Sequence, residues 1–60
     1  MRVLIVEDET AAYENLVDIL KEVSYDIQIM GNTESVTQTI HWLQSNPAPD
    51  LIFMDIHLSD

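Results

Sequence analysis

Three carboxylates follow two apolar runs of the sequence and are spaced to share one site. Glu7 and Asp8 come directly after the apolar residues 3–6. Asp55 comes directly after the apolar residues 51–54. If both runs are strands of one parallel sheet, their carboxyl ends meet at the edge where open α/β sheets bind ligands. The spacing therefore predicts a cluster of acidic side chains at one end of a sheet.

Such a cluster favours a divalent cation and phosphoryl chemistry. Clustered carboxylates repel one another, and burying them unpaired is costly. Mg2+ relieves the repulsion, because it binds one or two carboxylates together with waters and a phosphate. A carboxylate beside the metal can also act as a nucleophile toward phosphorus and form an aspartyl phosphate. In the alternative interpretation Glu7 and Asp8 only cap a helix and Asp55 caps a turn, which leaves their convergence unexplained.

Alternating strands and helices are predicted to position these acids. Their order predicts an α/β fold with a parallel sheet and right-handed crossovers. The first and third strands are the most apolar and should be buried, whereas the second alternates polar and apolar and belongs outside, giving the order 2-1-3. The predicted elements are a strand at 2–6, a helix at 10–23, a strand at 26–30, a helix ending near 45–46 and a strand at 51–56.

The helix boundaries are predicted from capping residues. Asp8 or Thr10 is expected to cap the first helix, and Ser24 to mark its end. A break after the second strand makes Asn32 or Thr33 the expected cap of the second helix. The apolar side of that helix is predicted to be Val36, Ile40 and Leu43.

Composition limits the class of protein. Sixty residues with 47% hydrophobic content make one globular domain with a small core. The formal charge of −9 argues against direct binding of nucleic acid by this segment. No signal peptide is recognisable, and no apolar run approaches the roughly 20 residues of a membrane span. With no cysteine present, a cytoplasmic protein is predicted.

The residues that carry these features resemble a known family. Val3-Leu4-Ile5-Val6-Glu7-Asp8-Glu9, followed by Asp50-Leu51-Ile52-Phe53-Met54-Asp55-Ile56-His57-Leu58-Ser59-Asp60, resembles the receiver domain of bacterial two-component response regulators. The resemblance implies a flavodoxin-like (CheY-like) doubly wound sheet. It covers about the first half of such a domain, so residues 1–60 are expected to be its N-terminal part, truncated before strands four and five.

The resemblance also implies roles for individual residues. Asp55 would accept a phosphoryl group from a phosphohistidine of a sensor histidine kinase. The Mg2+ site would consist of Glu7, Asp8, Asp55 and the His57 backbone. Asp8 would bind the metal directly, Glu7 largely through water, and His57 through its backbone carbonyl while its imidazole is exposed. The family's switch Ser or Thr and its phosphate-pairing Lys would lie on strands four and five. The ending at residues 58–60 and the environment of Met54 resemble regulators with a LytTR-type DNA-binding output, which implies transcription regulation.

Three alternatives compete with this interpretation. A cobalamin-binding domain would need Gly where the chain has Asp60, and its loop follows the first strand. A haloacid-dehalogenase-type phosphatase would need Asp where the chain has His57. The third alternative is a truncated or degenerate receiver that acts only as a protein-interaction module.

The third strand also predicts self-association. Apart from Asp55, residues 51–56 are apolar, and they contain no Lys or Pro to discourage edge-to-edge pairing. If the chain ends at Asp60, no further strand lies beside this one, and we expect a homodimer joined across this strand or across the uncovered face of the sheet. If the rest of the domain follows, a compact monomer is the alternative.

Overall fold

The computed structural model describes residues 1–23 and 26–58. The predicted helix end at Ser24, and the part of the family resemblance that rests on Ser59 and Asp60, lie outside these residues. No helix within the described part of the chain is long and apolar enough to span a membrane. The elements are β1 (Arg2–Val6), α1 (Thr10–Val23), β2 (Gln28–Thr33), α2 (Val36–Ser45) and β3 (Leu51–Met54).

The three strands form one parallel sheet in the order β2-β1-β3, which confirms the predicted fold class and strand order. The central strand is buried on both faces, since the side chains of residues 3–6 are at most 1% exposed. A continuous Val, Leu and Ile run is what a strand covered on both faces requires. Its carboxyl end therefore leads out of the buried centre of the sheet.

Helix α1 covers one face of the sheet. Val3 and Ile5 of β1 form a buried cluster with Leu20 of α1. Leu51 and Phe53 of β3 pair with Val3 and Ile5, so they belong to the same face by the two-residue period of a strand. The partly buried side chains packed against this cluster are Tyr13, Leu16, Val17, Ile27, Ile29 and Phe53.

Helix α2 is joined to the opposite face of the sheet by polar and aromatic contacts. The Thr33 hydroxyl of β2 and the Thr39 hydroxyl of α2 are 2.7 Å apart and buried. A Cβ at Gly31 would lie 2.9 Å from the indole Nε1 of Trp42, which is too close. The indole can pack against β2 here because Gly31 has no side chain. The Trp42 side chain is partly buried.

The predicted apolar side of α2 is only partly buried in the structure. Val36, Ile40 and Leu43 are 41%, 50% and 39% exposed. The helix instead faces β2 with Thr39 and Trp42. The apolar stripe lies beside this contact and is partly exposed.

The second strand and its following turn also differ from the prediction. β2 runs from Gln28 to Thr33, because a register shift opposite Val3 and Leu4 lets it continue through Gly31. The N-cap of α2 is Ser35, whose Oγ accepts a hydrogen bond from the Gln38 N–H at 3.0 Å. Asn32 and Thr33 are therefore strand residues and not caps.

Two further expectations are corrected. β3 ends at Met54 and not at residue 56. Three of its four side chains are exposed and not buried as expected, with Ile52 at 38% and Met54 at 52%. The first backbone bond of α1 runs from the Tyr13 N–H to the Glu9 carbonyl, which makes Glu9 the cap position in place of Asp8 or Thr10.

Candidate functional site

The carboxyl ends of β1 and β3 bring three acids together. Glu7, Asp8 and Asp55 each offer a carboxylate oxygen, and these oxygens lie within 4.8 Å of one another. Glu7 and Asp55 are half-buried, and Asp8 is exposed. The site therefore lies at the edge of the sheet that the strand ends predicted, open to solvent on the side of Asp8.

Backbone hydrogen bonds fix the two chain segments that carry the acids. The Glu7 N–H donates to the Thr33 carbonyl at 2.8 Å, and the Asp55 N–H donates to the Val6 carbonyl at 3.0 Å. Both bonds lie one residue beyond the last strand pairs on either side of β1. The backbone of Glu7 and of Asp55 is thus still bonded to a neighbouring strand where it leaves the sheet, which limits how far the two side chains can separate.

Local turns orient the carboxylates themselves. The His57 N–H donates to Oδ1 of Asp55 at 3.0 Å, a side-chain turn that fixes the carboxylate against its own loop. The Glu9 N–H donates to Oε2 of Glu7 at 3.3 Å. The His57 side chain is exposed, as predicted, and its backbone carbonyl as a metal ligand stays a prediction.

The electrostatics of the cluster disfavour its full ionisation. Partial burial raises the pKa of Glu7 above its ordinary value of 4.5, and the neighbouring Asp55 carboxylate raises it further through its charge and a shared hydrogen bond. The Glu9 N–H opposes this rise in pKa. At the other end of β3, the Arg2 N–H donates to the Asp50 carboxylate and lowers the pKa of that acid. The two ends of β3 thus differ, with a carboxyl pKa raised at the carboxyl edge and one lowered at the amino edge.

The chemistry of the donor set fits Mg2+. Three carboxylates offer hard oxygen ligands to one point, and Mg2+ takes carboxylate oxygens while keeping part of its water shell. A bound cation would also offset the repulsion from Asp55, which adds to the effect of burial in raising the pKa of Glu7. The neighbouring cleft has a volume of about 190 Å³ and is lined by Glu7 and Asp55 together with apolar side chains of the α1 face, including Leu16 and Phe53.

One residue near the site was not foreseen. The Asn32 amide donates to three backbone carbonyls where β1 leaves the sheet, those of Ile5, Glu7 and Thr33. The pair Gly-Asn predicts a turn, and nothing in its local pattern signals a strand residue bonded to the chain that carries Glu7.

The raised pKa of Glu7 predicts a pH dependence of folding stability. A carboxyl whose pKa is higher in the folded state stabilises the fold below its unfolded pKa, and this contribution is lost as the pH rises through the folded value. In metal-free buffer we therefore expect the melting temperature to fall as the pH rises from 4.5 through the pKa of Glu7. The lowered pKa of Asp50 contributes stability above its ordinary value of 3.8, and this contribution is lost only as the pH falls below that value. It therefore does not change the slope of stability in the window above pH 4.5.

Thermal melts of the parent and of Glu7→Gln in a chelator across this pH range test the prediction. Glu7→Gln should flatten the decline, whereas Glu14→Gln, at an exposed position of α1, should retain it. Parallel curves for the parent and Glu7→Gln would refute the assigned cause.

Comparison with known proteins identifies one family. A family model described as the response regulator receiver domain matches residues 3–60 of the chain. The comparisons with curated proteins and with solved structures gave no match.

Proposed function

Because the chain belongs to the response regulator receiver domain family, we propose that it accepts a phosphoryl group on Asp55 in a Mg2+-dependent reaction. The observation that carries this proposal is the convergence of Glu7, Asp8 and Asp55 within 4.8 Å at the carboxyl edge of the sheet. The test is phosphoryl uptake from acetyl phosphate in the presence of Mg2+, by the parent and by Asp55→Asn.

In the proposed reaction a carboxylate oxygen of Asp55 attacks the phosphorus of a phosphohistidine. The new O–P bond forms as the P–N bond breaks, and the departing imidazole nitrogen keeps the electron pair of that bond and takes up a proton from solvent. The product is an acyl phosphate on Asp55. When bound, Mg2+ supplies positive charge that offsets the phosphoryl and carboxylate charges.

The family resemblance supplies the metal-binding roles proposed for the surrounding residues. The His57 N–H donates to Oδ1 of Asp55 and restricts the orientation of the carboxylate. The nucleophile therefore loses less conformational freedom when it reacts. Asp8, the most exposed of the three acids, would bind the metal directly, and Glu7 largely through water. The carbonyl of His57 completes the proposed ligand set.

The partner that this role requires is a sensor histidine kinase, which donates the phosphoryl group. We further propose that residues 1–60 are the N-terminal part of a receiver domain, and that the protein acts in the cytoplasm. Regulation of transcription would then reside in a separate output domain, consistent with the resemblance to LytTR-type regulators.

A second candidate function is protein interaction through β3. This strand lies at one edge of the sheet, and Ile52, Met54 and Ile56 are 38%, 52% and 88% exposed. Uncovered apolar side chains on an edge strand favour pairing with another chain. We propose a second copy as the simplest partner, in a dimer joined across β3 or across the adjoining sheet face.

We expect the protein to form a dimer that Ile52→Lys dissociates, because a charge on the edge strand opposes pairing. The dimer should tighten with added salt, since each copy carries a formal charge of −9. Light scattering at micromolar concentration measures both effects. Ile19→Lys, at a position 47% exposed on α1, is the matched control and should remain dimeric. A folded monomeric parent would contradict the proposal.

A further inference from the structure

The Asn32 side chain makes an unusual set of hydrogen bonds at the end of β2. Its Nδ2 lies 3.1 Å from the Ile5 carbonyl oxygen, 3.3 Å from that of Glu7 and 3.2 Å from that of Thr33. A carbonyl oxygen only accepts hydrogen bonds, so the surroundings require the NH2 group and not the amide oxygen at this place. The side chain thus interacts with backbone on both strands.

These bonds lie where β1 leaves the sheet and becomes the acidic loop. Ile5 is a paired residue of β1. The last pair of β1 with β2 joins Val6 to Thr33, and Glu7 lies one residue beyond it. The Glu7 N–H still reaches the Thr33 carbonyl at 2.8 Å, and the Asn32 amide binds the Glu7 carbonyl on the other side of the same residue. Both backbone polar groups of Glu7 are therefore held by the end of β2.

We infer that Asn32 is a positioning residue of the metal site, which acts by fixing the backbone from which the Glu7 side chain extends. The inference rests on the proposed function, because it assumes that Glu7 takes part in binding Mg2+. Asn32 is not itself a member of the carboxylate cluster, so it acts through Glu7 and not as a ligand.

The placement of Asn32 favours this role over a purely structural one. Asn is depleted in strands, and this residue is exposed, so it adds little to the core. Its amide bridges a carbonyl inside β1 and a carbonyl of the loop, which fixes the direction in which the loop leaves the strand. Loss of a group that orients a metal ligand without touching the metal commonly weakens metal binding by about 10- to 100-fold.

The test is a calorimetric titration of the protein with Mg2+ alone, at a temperature well below melting. Asn32→Ala should bind Mg2+ about tenfold more weakly than the parent, at the lower end of the effects seen for residues that support metal ligands. Asn32→Ser keeps a short polar side chain but cannot reach three carbonyls. It should show the same weakening, and it replaces Asn32→Ala if that variant does not fold.

Thr39→Ala is the control for lost stability, because it removes a buried hydroxyl contact with β2 on the α2 face without touching the carbonyls bound by Asn32. Its melting temperature should fall while its Mg2+ affinity stays that of the parent. Parent-like affinity in a folded Asn32 variant, or equal weakening in Thr39→Ala, overturns the inference and leaves the proposed function intact. A parent that binds no Mg2+ overturns both.

Discussion

Replacing Asp55 by Asn is expected to reduce phosphoryl uptake from acetyl phosphate to the level of a protein-free control. The substitution keeps the size of the side chain and an oxygen that can accept the His57 N–H. It removes the anionic oxygen that would attack phosphorus, and a neutral amide is not a nucleophile of comparable strength. Intact mass spectrometry after incubation with acetyl phosphate and Mg2+ measures the result. The parent should gain one phosphoryl group that hydroxylamine removes, as expected of an acyl phosphate.

Asp50→Asn is the matched control, since it makes the same chemical change at the opposite end of β3. Asp50 is bonded to Arg2 and lies at the amino edge of the sheet, away from the carboxylate cluster. This variant should take up phosphate as the parent does. Undiminished labelling of Asp55→Asn would show that another residue is the acceptor, and a loss in both variants would attribute the effect to folding.

The fold could be predicted because its strongest signals are periodic and apolar. A run of four branched residues in β1 is buried on both faces, as its pattern requires. The extent of α1 follows from its long apolar stripe, and the end of α2 follows from Pro47 and Pro49, which cannot continue a helix. Once the three strands were assigned, their order followed from the half-polar character of β2, which belongs at the outside of the sheet.

What could not be predicted depends on pairing between distant segments. β2 continues through Gly31 because β1 offers it a ladder of partners, and a register shift near Val3 and Leu4 accommodates the extra residue. Sequence-local propensity assigns Gly-Asn to a turn, so tertiary pairing overrides it. The same error concealed the contact of Asn32 with the carbonyls of the acidic loop.

The exposure of β3 has a different cause. Its residues are as apolar as a buried strand should be, yet Phe53 is the β3 residue that packs against the α1 cluster, and Ile52 and Met54 are 38% and 52% exposed in the described structure. The apolar pattern reports what a strand is suited to contact, and it does not say whether the contacting element is present in the same 60 residues. The mismatch between pattern and exposure is therefore the basis for the proposed interface.

Mg2+ should stabilise the parent protein and leave Asp8→Ala almost unaffected. Binding to the folded state alone at ten times the dissociation constant adds about 1.4 kcal/mol to the free energy of unfolding by mass action. For a domain of this size that corresponds to a rise of roughly 6 to 11 °C in melting temperature. Asp8 is the most exposed acid of the cluster and the proposed direct ligand, so its removal should abolish most of this rise.

The metal-free proteins should show the opposite order. Removing one of three carboxylates within 4.8 Å relieves repulsion, so Asp8→Ala without metal should melt at or above the temperature of the parent. Asp18→Ala, an exposed acid of α1 outside the cluster, controls for the loss of one negative charge and should retain the full Mg2+ response. This crossing of the two curves is specific to a metal site, because a residue that only supported the fold would destabilise it equally with and without Mg2+ when removed. Equal Mg2+-dependent shifts in the parent and in Asp8→Ala would exclude the site.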